Sequence, residues 1–468
     1  MISKSLAIKV LNEALSTGGD YAEIYLEETN PESIMLENGH VENVSNPQGY
    51  GCGIRILNGF RSVYGYTSDL SAKSLLTLAK KLSASYADER KITVTSVKNV
   101  SVKKHIAVKD HVYDVPMEER IAYLKEISQI ISDVDPRIVR VQTGLSTTLR
   151  RTELFTAEGE EAKHVSNVQE RTRVFMIAIA AGQDGIETNF SGPGAADGWH
   201  YFTDVIDYRK LARETGEKAI MMLTAKECPS GRYTVVISNG WGGVLFHEAC
   251  GHPLEATATS KGLSVFSESI GKQIASTCVS AWDDGTIDNA WGSDNVDSEG
   301  VPTKKNELIR DGICVGFMVD RFNGRRLGME PNGTARRQNY RYCPTSRMSN
   351  TYIAAGKDKP EDIIADTPLG IYVANFGGGS VDPSTGEFNF SASEAYIIRD
   401  GKICEPVKGC TLIGTGQEVL MQIDRVGNDL ELGQGNCGSS SGSVPVNVGQ
   451  PTIRLREITV GGRGGKLE

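Results

Sequence analysis

Apolar residues recur at helical spacing from the start of the chain, where Leu6, Ala7, Val10, Leu11, Ala14 and Leu15 form one stripe that Gly18 and Gly19 bring to an end. From Tyr21 to Glu28 the spacing changes to alternation, which predicts a half-buried strand. Asn38-Gly39 and Asn58-Gly59 each sit between strand-like runs, the strongest short-range signal for a hairpin. A second helical stripe, Leu70, Leu75, Leu76, Ala79 and Leu82, starts near Ser68-Asp69. The first hundred residues thus read as helix, four strands, helix, and they carry no chemistry beyond a scaffold.

Near residue 110 a second unit opens with a helix for which Asp114 is the expected cap and Pro116 lies in the first turn. Met117, Ile121, Leu124, Ile127 and Ile131 are its buried stripe. Strands are expected at 137–148, 151–157 and 170–181, and a helix from Asp207 to Leu223. Pro229 and Gly231 mark the main boundary. Beyond it Tyr-Thr-Val-Val-Ile at 233–237 reads as a buried strand, Ser238-Asn239-Gly240 as a turn and cap, and the segment from Trp241 as a helix. Short strands between Gly, Asn and Asp turns fill the rest. The class is α+β: an N-terminal α/β domain of helices and antiparallel strands over residues 1–225, with a sub-boundary near 108, then a β-rich C-terminal domain over 226–468 that carries the helix after Trp241.

Composition narrows the function classes. The 468 residues have a formal charge of -9 and a pI near 5.5, without the clustered Lys and Arg of a nucleic-acid surface. The longest apolar run, Val174 to Ala181, is far short of a membrane span. Nine scattered cysteines, with no CxxC pair, suit a reducing cytoplasm better than a disulfide framework.

Trp241 to His252 reads Trp-Gly-Gly-Val-Leu-Phe-His-Glu-Ala-Cys-Gly-His. Two imidazoles that can ligate a metal flank Glu248, a carboxylate able to take a proton from water. In the common zinc-peptidase motif the histidines are four apart, whereas His247 and His252 are five apart. On a regular helix they would point about 140° away from each other. The backbone must therefore deform, and Gly251 and Pro253 weaken the last turn. A single π-type turn would bring His252 back over His247. Taken alone the two histidines could be a core residue and a helix cap. Their setting between a buried strand and an apolar Val244-Leu245-Phe246 run favours a metal site.

A catalytic zinc takes three protein ligands, so one remains to be found. Cys250, Glu255, the pair Asp283 and Asp284, and Cys437 in the glycine-rich run Gly433 to Gly442 are all candidates, and spacing does not choose among them. Gly414-Thr-Gly416 lacks the third glycine of a dinucleotide loop, and Phe376-Gly-Gly-Gly379 lacks the Lys-Ser/Thr of a phosphate loop. Both read as turns or as places where backbone passes close. No Gly-x-Ser-x-Gly elbow supports a serine hydrolase.

The sequence resembles the TldD/PmbA family, the modulator-of-gyrase group of zinc peptidases, on its TldD side. The likeness is carried by Phe246 to Ala256, Arg347 to Tyr352, Asn375 to Gly379, Ser393 to Tyr396, Pro406 to Gly409, Val426 to Leu430 and Pro445 to Pro451. Asp20 to Tyr25 and Gly51 to Arg55 extend it to the N-terminus. The resemblance implies a metallopeptidase acting on unfolded peptides or proteins, with Zn2+ held by His247, His252 and Cys437 and with Glu248 as general base. It further implies a dimer with an enclosed active site, either a homodimer or a heterodimer with a motif-less homologue. No nucleic-acid or membrane partner is expected. Cys250 stands where the family has a small apolar residue, which puts a second thiol inside the motif. The alternatives are a peptide-binding or assembly subunit whose metal is structural, and a metal-dependent amidohydrolase of small molecules.

Overall fold

A computed structural model describes residues 2–467 apart from 184, 383 and 384. The N-terminal half is built on one nine-stranded sheet. Its spine is the 17-residue strand Tyr21–Glu37, which pairs on one side with Gly49–Asn58 and then His40–Ser45, and along its whole other side with Ile138–Ala157. The Asn38-Gly39 pair makes the expected hairpin, both residues having the positive φ that a tight turn with right-handed strand twist requires. Helix, four strands, helix is the observed order over the first 83 residues. The second helix begins at Ala72, not near Ser68, because Asp69 folds a local turn by accepting the Ser71 N–H and leaves Ser71 as the cap.

Two helix pairs cover one face of this sheet. Lys4–Ala14 and Ala72–Ser83 lie on Ile24, Ile54, Ile56 and Phe155, while Met117–Ser132 and Tyr208–Met222 lie on Ile34, Leu36, Val141, Leu145, Val174 and Met176. Asp114 is not the cap of the third helix. It ends a separate turn at Val112–Asp114, Pro116 occupies the cap position, and Glu118 and Glu119 place negative charge on the first turn instead.

Where three strands were expected between 137 and 181, two long ones form, Ile138–Ala157 and Glu161–Gly182, paired over nearly their full length. The gap expected at Leu149 and Arg150 does not break the first, because Arg150 is held by Glu27 on the neighbouring strand, with Nε 2.6 Å from Oε1. The second starts early because Val165, Asn167, Gln169 and Arg171 alternate along a face that is covered by protein and not by water.

That cover is the C-terminal half, which holds an eight-stranded and a six-stranded mixed sheet around one large apolar cluster. In the first, Gly231–Ile237 lies between Leu369–Val381 and Ile453–Gly461, and Glu387–Arg399 pairs with both Leu369–Val381 and Thr411–Thr415. Thr411–Thr415 pairs in turn with Ile453–Gly461, so five strands close into a ring. In the second, Glu431–Ser439 is the edge strand, joined by a tight turn to Gly442–Gln450. Two of the strands expected to be short run to 13 residues each, because Leu369–Val381 and Glu387–Arg399 form one extended hairpin. The α+β class, with a β-rich C-terminal region, is the observed one. Among the described residues no helix is long and apolar enough to cross a membrane.

Candidate metal centre

The segment after strand Gly231–Ile237 is helical, as expected, and deforms at the motif as the five-residue spacing requires. It is one continuous path of changing pitch: a tight turn at Gly240–Gly243, an α turn at Val244–Phe246, a π turn at His247–Gly251 and a tight turn at His252–Leu254. The π turn closes between the two histidines themselves, with the His252 N–H donating to the His247 carbonyl. This is the deformation that five-residue spacing demands, and it sets both rings on one side. Gly251 is needed for close approach, since a Cβ there would lie 2.2 Å from Met348 Sδ.

Cys437 arrives from the opposite end of the chain. In the strand Glu431–Ser439, Gly433, Gly435 and Cys437 share a face by alternation. Trp241 lies across the two glycines, with any Cβ on Gly433 only 2.9 Å from its Cα and any Cβ on Gly435 3.0 Å from its ring. The Trp241 indole N–H donates to the Phe376 carbonyl at 3.1 Å, which fixes the ring. The next residue along that face is the thiol.

The result is a compact cluster of donors. Cys437 Sγ lies 3.3 Å from His247 Nε2 and 3.1 Å from His252 Nε2, and one ligand atom from each of the three residues falls within 4.8 Å of the others. The imidazoles stand nearly perpendicular, at 83°. His247 is buried and its Nδ1 has no hydrogen-bond partner, whereas His252 Nδ1 is 3.2 Å from Glu255 Oε1. Burial alone would raise the Cys437 thiol, but the charge and hydrogen bonds of His247 and His252 outweigh it and bring it down to about 3. Burial opposes the charge on His252, and Glu255 together with Cys437 overcomes it and raises that ring well above its ordinary value. Glu248 Oε2 is 3.9 Å from His252 Nε2, and its side chain is 24% exposed, the most open of the group.

The other candidate ligands are placed elsewhere. Cys250 points into the C-terminal core, where burial raises its thiol far above the ordinary range. Asp283 accepts from the Ser349 N–H at 2.7 Å and from the Ser349 and Thr351 hydroxyls at 2.9 and 2.8 Å, so it holds a strand in place. Asp284 caps the turn at Thr286. Glu255 reaches the far nitrogen of His252 and not the cluster itself.

Three contributions were not visible in the sequence pattern. Arg347, fully buried, donates to the carbonyls of Cys437 and Gly442 and to the Ser441 hydroxyl. It is the single charge between Pro344 and Gly356, the one signal that could have marked it. Met348 packs on the π turn, and Gly416 passes so close to it that a Cβ would lie 2.1 Å from the Ala249 carbonyl.

Residues 230–462 match the PmbA/TldA metallopeptidase C-terminal domain, 110–223 its central domain and 22–86 its domain 1. A metalloprotease TldD homolog of Haemophilus influenzae is 36% identical, over 95% of this chain and 93% of its own length. A zinc metalloprotease TldD homolog of Saccharolobus solfataricus is 26% identical, over 74% of this chain and 76% of its own. TldE from Thermococcus kodakarensis shares the fold, with a TM-score of 0.75 over 98% of this chain and 100% of that one, at 17% identity. Matched along nearly its whole length, the chain belongs to the PmbA/TldA metallopeptidase family.

Proposed function

We propose that the chain is a zinc-dependent peptidase hydrolysing peptide bonds in unfolded peptides or proteins, with His247, His252 and Cys437 as ligands and Glu248 as the group that moves the proton. The observation that carries this reading is the convergence of two imidazole nitrogens and a thiol within 4.8 Å, beside a carboxylate still open to solvent. Bond lengths of about 2.0 Å to nitrogen and 2.3 Å to sulfur put the N···S edge of a tetrahedral zinc site near 3.6 Å. The observed 3.1 and 3.3 Å lie within half an ångström of that edge. A thiolate with imidazoles suits zinc and disfavours magnesium or calcium, which take oxygen ligands. The name of the Saccharolobus relative includes the same metal. Three protein donors leave a fourth position free, as catalytic sites do, and Cys250 is turned away from closing it.

When bound, the ion would supply Lewis acidity toward a substrate carbonyl and toward water. The remaining work falls to side chains of the chain. His252 Nδ1 faces Glu255 Oε1 at 3.2 Å, so the carboxylate favours a proton on that nitrogen and leaves Nε2 as the donor atom. Glu248 Oε2 accepts the proton of the attacking water and passes it to the nitrogen of the leaving amine.

An extended substrate needs main-chain partners more than side-chain pockets. The outer edge of the Cys437 strand is occupied, since the Trp291 indole donates to the Gly435 carbonyl at 2.8 Å and Arg347 donates to that of Cys437. Leu369–Val381 offers a better edge. Past Val373 its neighbour is Glu387–Arg399 alone, and residues 377–380 are exposed. Gly378 has open space where a side chain would stand, which leaves room for a second backbone, and Trp241 ties Phe376 to the motif segment. Methylating backbone amides of a substrate is therefore expected to weaken binding, measured as KM; an unchanged KM removes strand addition from the mechanism. The test of the reaction itself is Glu248→Gln, which should keep the metal and lose cleavage of an unfolded protein. Turnover at the wild-type rate would take Glu248 out of the mechanism.

A further inference from the structure

Glu255 and Arg347 are absent from the ligand set, yet together they touch both segments that supply it. After the π turn that brings His252 to the side of His247, the chain tightens at His252–Leu254, and the Glu255 N–H bonds to the His252 carbonyl. With about three residues per turn in such a segment, Glu255 is returned to the side of His252, and its Oε1 stands 3.2 Å from Nδ1. Behind it, Arg347 Nε is 3.8 Å from the same carboxylate oxygen. The rest of the guanidinium faces the hairpin that ends the Cys437 strand. One Nη donates to the Ser441 hydroxyl at 2.9 Å and the Gly442 carbonyl at 2.8 Å, and the other donates to the Cys437 carbonyl. Arg347 is 0% exposed and Glu255 6%, so neither interaction is diluted by water.

We infer that Arg347 and Glu255 form a positioning clamp that sets the separation between the two histidine ligands and the cysteine ligand, and so the affinity of the site for its metal. The inference rests on the ligand set proposed above. The planar fork of an arginine fits this place, because one guanidinium spans a carboxylate on one side and two carbonyls on the other, which a lysine ammonium does not do in fixed geometry. The carboxylate also orients His252, in the manner of the outer partners of metal-bound histidines. His247 has no such partner at Nδ1, so the clamp acts on His252 and Cys437. Residues 92 positions apart, Glu255 and Arg347, thereby govern ligands 185 apart.

The test is metal affinity of the full chain, measured by competition with a chromophoric chelator, for the unaltered protein, Glu255→Gln, Arg347→Lys, Arg347→Met and the Glu255→Gln/Arg347→Met double variant. Each single change should weaken zinc binding about 10- to 100-fold. Because both residues act through one connection, the double variant should lose little more than the worse single one. Cobalt(II) adds a readout that general loss of structure would not give: the thiolate charge-transfer band should shift in Arg347→Lys, which keeps the charge but not the fork. Glu255→Gln is nearly isosteric and keeps the test valid should Arg347→Met fail to fold. Unchanged zinc affinity and an unchanged cobalt spectrum in Glu255→Gln and Arg347→Lys would overturn the clamp. His247→Ala, run alongside, separates the two claims. If it binds zinc as tightly as the unaltered chain, the ligand set itself is wrong; if it alone loses zinc, only the clamp is wrong.

Discussion

Two of the places where the molecule buries ionisable groups treat them differently. Where the N-terminal sheet meets the C-terminal half, opposite charges pair: Arg55 with Glu299 at 2.6 Å and Arg337 with Glu23 across the contact, and Arg150 with Glu27 at 2.6 Å within the sheet. Arg171, in no ion pair among the described residues, is satisfied by the carbonyls of Trp291 and Ser293 and by Gln169. At the His247, His252 and Cys437 cluster, three potential donor atoms converge on one another and leave a carboxylate partly open beside them. Pairwise matching holds two layers in register; convergence makes a place for something else. Charge and burial alone do not distinguish the two, and the geometry of the acceptors does.

Removing one group from each region puts this contrast under the greatest strain. Cys437→Ala should abolish zinc binding and with it peptidase activity, while leaving the chain folded, as judged by circular dichroism and elemental analysis. Glu248→Gln should retain zinc and lose about 10²- to 10⁴-fold in kcat, which separates proton transfer from metal binding. Arg337→Met removes the ion-pair partner of Glu23, which has 0% side-chain exposure and keeps the Tyr21 hydroxyl as a donor, and should cost about 3–5 kcal/mol of stability. Its zinc content per folded molecule should not change, and denaturant unfolding with zinc analysis checks both halves of that statement. Cys250→Ser should leave zinc stoichiometry intact, because that thiol faces the core.

The smallest effect concerns pH in the metal-free chain. Cys437 has a folded value of about 3, against about 9 for a free thiol. As an acid lowered by folding, it contributes stability that is fully present above the unfolded value and is lost as pH falls through the folded one. Thiolate absorbance in the metal-free protein should therefore persist through neutral pH and fade only toward pH 3; disappearance near pH 8 would mean that the two imidazoles do not hold the charge.

Much of the scaffold was legible because its residues face water on one side. Leu6 to Leu15, Met117 to Ile131 and the Asn38-Gly39 turn obey local periodicity, and their elements formed as expected. The strand Glu161–Gly182 was half missed for the opposite reason. Its polar positions Asn167 and Arg171 look like solvent-facing residues, yet they bond to Asp294, Trp291 and Ser293 across the interface. A pattern that reports burial through apolarity cannot register a buried polar face. The same limit applies to Arg150, which falls in the gap between the strands expected at 137–148 and 151–157 and is in fact inside a single strand.

At the site, His247, Glu248 and His252 announced themselves by chemistry, and their five-residue spacing pointed to the π turn that the structure contains. Cys437 did not, since 184 residues of chain separate it from His252 and local spacing carries no information across that distance. Only its likeness to a family singled it out. What brings it in is the pair Gly433 and Gly435 under Trp241, a contact that no pattern within either segment reveals. Beyond that π turn, the tight turns on either side of it, at Gly240–Gly243 and His252–Leu254, were not read from the pattern.

Everything proposed for the site depends on His247, His252 and Cys437 holding one metal ion. Elemental mass spectrometry of the purified chain, with Cys437→Ala and His247→Ala prepared in parallel, tests this without knowledge of substrate or partner. About one zinc per chain is expected, lost from both variants. Zinc absent from the unaltered chain after loading, or retained at full stoichiometry in either variant, would refute the ligand set.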